Sequence, residues 1–251
     1  MTTTVSTPDR TTEPTGGAIS NGSVRLGTIL VTGGASGLGA ATVRAVSAAG
    51  GTPLVLDLQP PADGVRGLAV DLADTAAAEA AVEEIVAQAG GRLDGVVTAA
   101  GIDSCGRLED VPRSSWERVV QVNLLGTAAV IRAALPHLRR SHGRVVTVSS
   151  TLGIKAVSDA TAYCASKFGV VGLTRALAAE TAGQVGVTLL IPGGMYTPFF
   201  DGRTEQYKPP PDAVLNKPED VAAAVVFALG QPPGCELREL VIACSTESSW
   251  P

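Results

Sequence analysis

The sequence has few charged residues and no surplus of positive ones. Of its 251 residues, 17% are charged, and the net charge at pH 7 is −5. The 19 lysines and arginines are scattered along the chain rather than clustered. Binding to a nucleic-acid backbone needs a basic patch. We therefore expect no nucleic-acid partner.

The sequence also lacks the cysteine patterns that mark metal sites and disulfide frameworks. Its four cysteines show no C-x-x-C spacing and have no histidine nearby. Zinc sites and disulfide-rich domains are recognised by such regular spacings. We predict no metal site and expect reduced, structural thiols.

No uninterrupted apolar run approaches the roughly 20 residues that cross a bilayer. The N-terminus lacks the charged-then-apolar pattern of a secretory signal. We expect a cytoplasmic protein with no membrane partner. Residues 1–26 are rich in Thr, Pro, Gly and Ser, a composition that buries too little surface to offset the entropy of ordering, so a flexible arm is predicted there.

Short apolar runs alternate with alanine-rich stretches through the rest of the chain. Runs such as 29–31 and 95–97 are typical of strands buried on both faces of a sheet. The alternation predicts one α/β domain over residues 27–251, a doubly wound parallel sheet with helices on both faces. The seven predicted strands lie near 28–32, 53–57, 68–70, 94–98, 144–149, 186–191 and 238–243. The predicted helices lie near 37–49, 74–89, 112–138, 160–182 and 218–229.

Residues 194–216 interrupt this rhythm, and we interpret them as a lid. The segment contains Met195, Phe199, Phe200 and Tyr207 and passes through three consecutive prolines. Apolar lid residues indicate a hydrophobic or aromatic substrate, although they also serve simply to pack a lid shut. Both interpretations stay open from the sequence.

Glycines at positions 33, 37 and 39 lie between a predicted strand and a predicted helix. Glycines in this context let the backbone turn tightly and approach a pyrophosphate at the helix N-terminus. The second strand ends in Asp57, whose carboxylate would bind the adenosine ribose hydroxyls and repel a 2′-phosphate. Because no arginine follows Asp57 directly or lies within the turn, the sequence favours NAD over NADP.

Tyr163 and Lys167 are four residues apart and share one face of a predicted helix. Oxidising an alcohol requires a positioned base near neutral pH. Moving a phenol pKa from about 10 to about 7 takes roughly 4 kcal/mol, which one ammonium about 4 Å away supplies at an effective dielectric constant near 20. Tyr163 is thus the predicted general acid/base, and Ser150, at a strand end, would hold the substrate oxygen against it.

These residues resemble those of the classical short-chain dehydrogenase/reductase family, whose pattern T-G-x-x-x-G-x-G is matched by residues 32–39. The resemblance covers about residues 26–243 and implies a Rossmann-type fold. It also implies cofactor contacts along the whole nucleotide. The predicted cofactor-binding residues are Thr32, Gly33, Ser36, Gly37, Leu38, Gly39, Asp57, Asp71, Leu72, Ala99, Gly101, Tyr163, Lys167, Pro192, Gly193, Met195 and Thr197.

The resemblance implies further roles. Asn123 would complete the catalytic set by holding a water that links Lys167 to solvent, and Thr197 would bind the nicotinamide carboxamide. Family members are commonly homodimers or homotetramers, assembled through the helices that here lie near 112–138 and 160–182.

The chain departs from the family pattern at Thr98 and Ala99, where the family usually has two asparagines. A backbone contact to the cofactor ribose would survive this change. The side-chain hydrogen bonds that brace the sheet would not.

Two alternatives stay open beside an NAD-dependent alcohol dehydrogenase. One is a ketoreductase acting on 3-oxoacyl thioesters or polyketide-type ketones with NADH or NADPH, for which Arg203 and Lys208 are the only basic residues in the lid. The other is an NAD-sensing regulatory protein without turnover, which would have no reason to keep Tyr163 and Lys167. A serine hydrolase is excluded because Ser36 is not in a G-x-S-x-G elbow.

Overall fold

A computed structural model of the chain describes residues 26–249. Residues 1–25, which hold nearly all of the predicted arm, lie outside the described residues. In the described part the strands are β1 (Thr28–Thr32), β2 (Thr52–Asp57), β3 (Arg66–Ala69), β4 (Gly95–Thr98), β5 (Arg144–Val148), β6 (Gly186–Pro192) and β7 (Glu239–Ile242). The helices there are α1 (Gly37–Ala48), α2 (Thr75–Gln88), α3 (Arg113–Val120), α4 (Thr127–Ser141), α5 (Thr161–Glu180) and α6 (Pro218–Leu229).

Within residues 26–249 the strands form one seven-stranded parallel sheet in the order β3-β2-β1-β4-β5-β6-β7. The predicted fold class is confirmed, and the strand bounds differ from the predicted ones by at most two residues. Parallel strands need crossover connections, and α-helices supply most of these.

Both faces of the sheet are covered because successive strand residues point to opposite sides. Leu30 and Leu54 pack in one apolar core with residues of α2 and α4. Their neighbours Val31 and Val55 pack in a second core with residues of α1 and α6. Leu26, the last residue of the predicted arm, is buried in this second core.

The predicted helix near 112–138 consists of α3, a π-helical turn at Gln121–Gly126, and α4. π-helical turns of this kind are frequent at functional sites. The continuous run from Arg113 to Ser141 is long and apolar enough, by length and composition alone, to span a membrane, and half of its apolar window is buried in the protein. Core helices of globular proteins meet the same criterion, so this is weak evidence for a membrane. Charged residues interrupt the run, which is why the sequence alone does not single it out.

The strand order reverses between β1 and β4. Ligands of doubly wound sheets bind at this point, outside the carboxyl ends of the strands. The loops that follow β1, β2, β4, β5 and β6 all contribute residues to one cavity at this end of the sheet.

Candidate active site

The turn between β1 and α1 contains two glycines for which any side chain would clash. Gly33 has a left-handed backbone with φ of 69°, and a methyl group on it would lie 2.7 Å from the Ala100 Cα atom. A methyl group on Gly39 would lie 1.9 Å from the carbonyl oxygen of Gly33. Neither contact is sterically possible without a backbone shift. The turn therefore requires glycine at both positions.

A cavity of about 1350 Å³ extends from this turn to the lid. Most of the predicted site residues line it, namely Gly33, Ser36, Gly37, Leu38, Gly39, Asp57, Asp71, Leu72, Ala99, Gly101, Ser150, Tyr163, Lys167, Pro192, Gly193, Met195 and Thr197. Thr32 and Asn123 are buried and lie behind the cavity wall.

Helix α5 places Tyr163 and Lys167 one turn apart, both buried. The Lys167 Nζ atom lies 5.6 Å from the centroid of the Tyr163 ring and donates a hydrogen bond of 2.9 Å to the carbonyl oxygen of Val148. Ser150 begins a 3₁₀ turn after β5. Its hydroxyl accepts a hydrogen bond of 3.1 Å from the Leu152 N–H and lies close enough to the phenol to lower the Tyr163 pKa. The hydroxyl of the neighbouring Ser149 is used elsewhere, since it donates to the Lys167 carbonyl oxygen at 3.0 Å.

Burial raises the pKa of the Tyr163 phenol above its ordinary value of 10.0, and it outweighs the hydrogen bond with Ser150, which lowers the pKa. The expectation that Lys167 alone brings the phenol to a pKa of about 7 is therefore wrong for the protein without cofactor, because it left out the desolvation of the phenolate. Burial also lowers the pKa of Lys167 to about 8. The site thus holds a protonated phenol beside a lysine that is largely charged at neutral pH.

We expect Tyr163 to be mostly protonated at about pH 10 in the absence of cofactor, where an exposed tyrosine is half ionised. The physical reason is that burial disfavours the charged form. Phenolate absorbance is measured from about pH 7 to about pH 12 for the wild type and for Tyr163→Phe, and the difference isolates this group. A difference signal with a midpoint below about pH 9 would contradict the expectation.

Thr32 and Asn123 brace the loop that follows β4. The Asn123 side chain accepts a hydrogen bond of 2.8 Å from the Ile102 N–H and donates to the Ile102 carbonyl oxygen at 2.9 Å and to Ser166 Oγ at 3.0 Å. Thr32 Oγ1 accepts a hydrogen bond of 3.2 Å from the Ala100 N–H. These contacts fix the backbone that forms one wall of the cavity. A proton relay through Asn123 stays a prediction.

Two carboxylates lie at the nucleotide end of the cavity. Asp57 accepts a hydrogen bond of 2.9 Å from the Ala35 N–H, which ties the end of β2 to the glycine turn. Asp71 accepts one of 3.0 Å from the Ala73 N–H and pairs with Arg118 at 3.0 Å. These two contacts hold the pKa of the Asp71 carboxyl below its usual value. The Asp71 group is therefore present as a carboxylate at neutral pH.

The departure from the family pattern leaves a polar atom unsatisfied. Thr98 is 2% exposed, and among the described residues its Oγ1 atom has no hydrogen-bond partner. Its neighbour across the sheet, Thr147, is also buried, but Thr147 Oγ1 bonds Thr174 Oγ1 at 2.7 Å. The loss of side-chain bracing expected at position 98 is thus visible as an unpaired hydroxyl.

Thr98→Val should stabilise the protein by about 1 kcal/mol, because it replaces an unpaired buried hydroxyl with a methyl group of similar size. Thr147→Val should instead destabilise it by about 1 kcal/mol, because a hydrogen bond is lost. Urea unfolding of both variants measures the two free energies. A change in the same direction for both would contradict the assignment.

The lid covers the substrate end of the cavity. Thr197 caps the short turn Pro198–Phe200, and its Cβ would lie 3.3 Å from a methyl group on Gly37, so the lid reaches the glycine turn. The Phe199 ring lies 5.5 Å from the Tyr163 ring, centroid to centroid. The lid residues therefore adjoin both the nucleotide end and the reacting end.

Sequence reasoning missed the C-terminal turn around Glu247, which also lines the cavity. The Glu247 carboxylate accepts a hydrogen bond of 3.0 Å from the Gly194 N–H and one of 2.7 Å from Ser249 Oγ, which in turn bonds Thr151 Oγ1 at 2.6 Å. It also missed Asp103, which belongs to no motif. Only tertiary structure brings these residues to the site.

The chain is similar to several known proteins. The family model described as short chain dehydrogenase matches residues 27–208. L-fucose dehydrogenase of Mus musculus is 31% identical over 243 residues, 88% of this chain and 89% of that protein. The 3-oxoacyl-(acyl-carrier-protein) reductase FabG of Thermotoga maritima is 32% identical over 217 residues, 79% and 88% of the two chains. The ligand-free structure of Thermoplasma acidophilum aldohexose dehydrogenase matches with a TM-score of 0.78 at 25% identity, covering 87% of this chain and 93% of that one.

Proposed function

The chain belongs to the short-chain dehydrogenase/reductase family of oxidoreductases acting on alcohols and ketones, and we propose that it uses NAD(H) and interconverts a secondary alcohol and its ketone, with Tyr163 as general acid/base. One observation carries the proposal. Ser150, Tyr163 and Lys167 line the same cavity as the glycine turn, so a nucleotide and a small carbonyl compound have room side by side.

The residues at the nucleotide end fit a dinucleotide. The turn at Gly33 and Gly39 packs so tightly that a methyl group on either glycine would overlap backbone atoms. It leads into the N-terminus of α1, which favours negative charge. The Ser36 side chain does not cap α1, so its hydroxyl is free for the pyrophosphate. Asp57 would bind the adenosine ribose hydroxyls and Lys167 those of the nicotinamide ribose. When bound, the cofactor accepts hydride in alcohol oxidation and donates it in ketone reduction.

Tyr163 and Ser150 handle the proton. The Ser150 hydroxyl would hold the substrate oxygen against the phenol. In reduction the phenol gives its proton to that oxygen, and in oxidation the phenolate removes it. Because burial keeps the Tyr163 pKa high, reduction uses the form present at neutral pH, whereas oxidation speeds up as the pH rises. The Lys167 ammonium stabilises the phenolate when it forms.

The NAD preference rests on Asp57, whose carboxylate lines the cavity. A 2′-phosphate would be repelled by this charge. Leu58, the next residue, is 55% exposed and apolar, so it offers no cation to such a phosphate. We therefore propose NAD rather than NADP.

Asp57→Ala combined with Leu58→Arg should shift the ratio of the NADH and NADPH dissociation constants toward NADPH by about 100-fold, because a repulsive charge is replaced by an attractive one. Titration with each nucleotide, followed by fluorescence, measures both constants. Asp57→Asn is the matched control: it removes the charge, keeps an acceptor for the Ala35 N–H and should shift the ratio less. An unchanged ratio in the double variant would refute the role of Asp57.

For the substrate we propose an apolar skeleton packed against the lid. Phe199, Phe200 and Leu152 line the cavity, and Phe199 stands beside the Tyr163 ring. Burying aromatic and aliphatic carbon against these side chains would favour such a substrate over a small polar alcohol.

A 3-oxoacyl or polyketide-type ketoreductase is the second candidate, supported by the similarity to the Thermotoga maritima reductase. Thioester carriers are anionic and call for free cations at the entrance. Both lid cations are paired with carboxylates, Arg203 with Asp103 at 2.9 Å and Lys208 with Glu205 at 2.5 Å. This pairing favours an uncharged substrate.

The remaining expectations stay proposals. The alternative in which the protein is not an enzyme is an NAD-sensing regulatory protein that binds the nucleotide without turnover. We also propose a cytoplasmic homodimer or homotetramer formed through the long helix of α3, the π-helical turn and α4, together with α5. Leu125 in the π-helical turn and Phe168 in α5 are 48% and 44% exposed. Sedimentation measures the oligomeric state.

The test of the function is NADH and NADPH consumption against a panel of hydrophobic ketones and 3-oxoacyl thioesters. Turnover of an uncharged ketone with NADH supports the proposal. Turnover of thioesters alone selects the ketoreductase, and NADH binding without any turnover selects the sensor.

A further inference from the structure

An ion pair lies inside the cavity and has no part in the cofactor binding and proton transfer described above. Arg203 of the lid and Asp103 of the loop after β4 approach to 2.9 Å, with side chains 16% and 7% exposed. Both residues line the cavity that contains Tyr163. The pair therefore connects the lid to the sheet at the substrate end.

The pair is held in place by its neighbours. The Arg203 guanidinium lies 4.7 Å from the ring centroids of both Phe199 and Phe200. It also donates a hydrogen bond of 3.3 Å to the Tyr207 carbonyl oxygen. Since Phe199 also stands beside Tyr163, one aromatic ring separates the guanidinium from the catalytic phenol.

Stability alone does not explain this pair. Removing two charges from water is costly, and buried ion pairs can often be replaced by apolar side chains without loss of stability. Hydrogen-bonding capacity is also left over. Arg203 has five N–H donors and uses two nitrogens on its described partners. Asp103 receives hydrogen bonds from Ser104, Cys105 and Arg203, which leaves room for one more donor on its carboxylate.

The chemistry of the pair selects the group it would bind. A carboxylate or phosphate would be repelled by Asp103, and an ammonium by Arg203. Further acidic residues line the cavity, among them Asp159, Asp212 and Glu247, so anions are disfavoured again. A hydroxyl is uncharged and can donate to Asp103 while it accepts from Arg203, so it satisfies both partners.

We propose that Asp103 and Arg203 bind a second hydroxyl of the substrate, one or two carbons from the reacting carbon, and so select diols and hydroxyketones with an apolar skeleton. This inference rests on the proposed function and names the substrate class of the same site. It makes the pair a specificity determinant rather than part of the proton-transfer machinery.

The test compares substrates that differ by one hydroxyl. The pairs are 2-hydroxyacetophenone with acetophenone, and 3-hydroxy-1-phenylpropan-1-one with propiophenone, each measured as kcat/KM with NADH. We expect the hydroxyketone of at least one pair to be preferred by about 10- to 100-fold, the range for a hydrogen bond to a charged group. A preference below about 3-fold in both pairs overturns the proposal, because a site built to hydrogen-bond a hydroxyl rejects an analogue without it.

Variants of Asp103 and Arg203 test whether the preference for the hydroxyketone depends on this ion pair. In Asp103→Leu/Arg203→Met, which leaves no lone buried charge, the preference should fall to near unity. Asp103→Asn, which keeps an acceptor oxygen but removes the charge, should lower the preference by several-fold and replaces the double variant if that one does not fold. The matched control is Arg44→Met/Glu219→Gln, which removes an exposed ion pair of the same 2.9 Å length and should keep the preference. A preference retained in both Asp103 variants overturns the proposal.

A binding measurement separates this proposal from the proposed function. If the protein oxidises no NADH with any of these four ketones, the proposed function has failed for ketones with these carbon skeletons. The hydroxyl site is then tested by binding alone: the dissociation constants of 1-phenyl-1,2-ethanediol and 1-phenylethanol are measured with the NADH-saturated protein and compared. Tighter binding of the diol that is weakened in Asp103→Asn supports the hydroxyl site, and equal binding of the two alcohols overturns it.

Discussion

Tyr163→Phe is expected to lower kcat for ketone reduction by about 10²- to 10⁴-fold, the range for removal of a general acid. The reason is that the phenol lies beside Ser150 in the cavity, and the substitution removes its hydroxyl alone. NADH affinity should change little, because the ring stays in place against Phe199. Steady-state kinetics and NADH titration on the same preparation measure both quantities.

Tyr196→Phe is the matched control for this experiment. Tyr196 also lies in the lid, but its ring is 55% exposed and its hydroxyl donates to the Ala213 carbonyl oxygen at 3.1 Å. Its loss should change kcat by less than about 3-fold, since surface substitutions away from special features have small effects. Residual activity of Tyr163→Phe within about 10-fold of the wild type would remove Tyr163 from the mechanism.

Gly39→Ala is expected to weaken NADH binding by about 100-fold or more and to destabilise the domain. The added methyl group would lie 1.9 Å from the Gly33 carbonyl oxygen, so the turn must open. An opened turn moves the backbone N–H groups that would meet the pyrophosphate, and those groups supply much of the affinity at such sites. Isothermal calorimetry with NADH and thermal unfolding measure the two effects.

Gly172→Ala controls for the substitution itself. Gly172 is also helical, in α5, and a methyl group there would meet nothing within 4 Å. This variant should bind NADH normally and gain about 0.5–1 kcal/mol of stability from improved helix propensity. Wild-type NADH affinity in Gly39→Ala would show that the turn does not hold the cofactor.

The fold could be predicted because its signals are local. Each central strand of a parallel sheet is buried on both faces and therefore appears as a continuous apolar run, as at Ile29–Val31 and Leu189–Ile191. Helix α6 begins at Pro218, has acidic residues in its first turn and ends before Gly230, and each of these is a local signal. The π-helical turn at Gln121–Gly126 carries no such signal, because tertiary packing rather than local preference sets its geometry.

The candidate site was predictable only in part. Motif spacing identifies residues such as Ser150, Tyr163 and Lys167, because the fold of the family fixes their order along the chain. The ion pair of Asp103 with Arg203 joins residues 100 positions apart, and no sequence pattern predicts it. The Tyr163 pKa also could not be predicted from the sequence, since the burial of the phenol depends on the lid and on the loop after β4.

The most direct test of the central claim follows the hydride itself. NADH carrying deuterium at both C4 positions is incubated with the protein and the ketone panel, and mass spectrometry of the alcohols detects deuterium on the carbinol carbon. The account predicts one deuterium in each alcohol molecule that forms, and a rate of deuterium transfer about 10²- to 10⁴-fold lower with Tyr163→Phe than with the wild type. NADH bound in the cavity with no deuterium transferred to any ketone, or equal transfer by the two proteins, would contradict it.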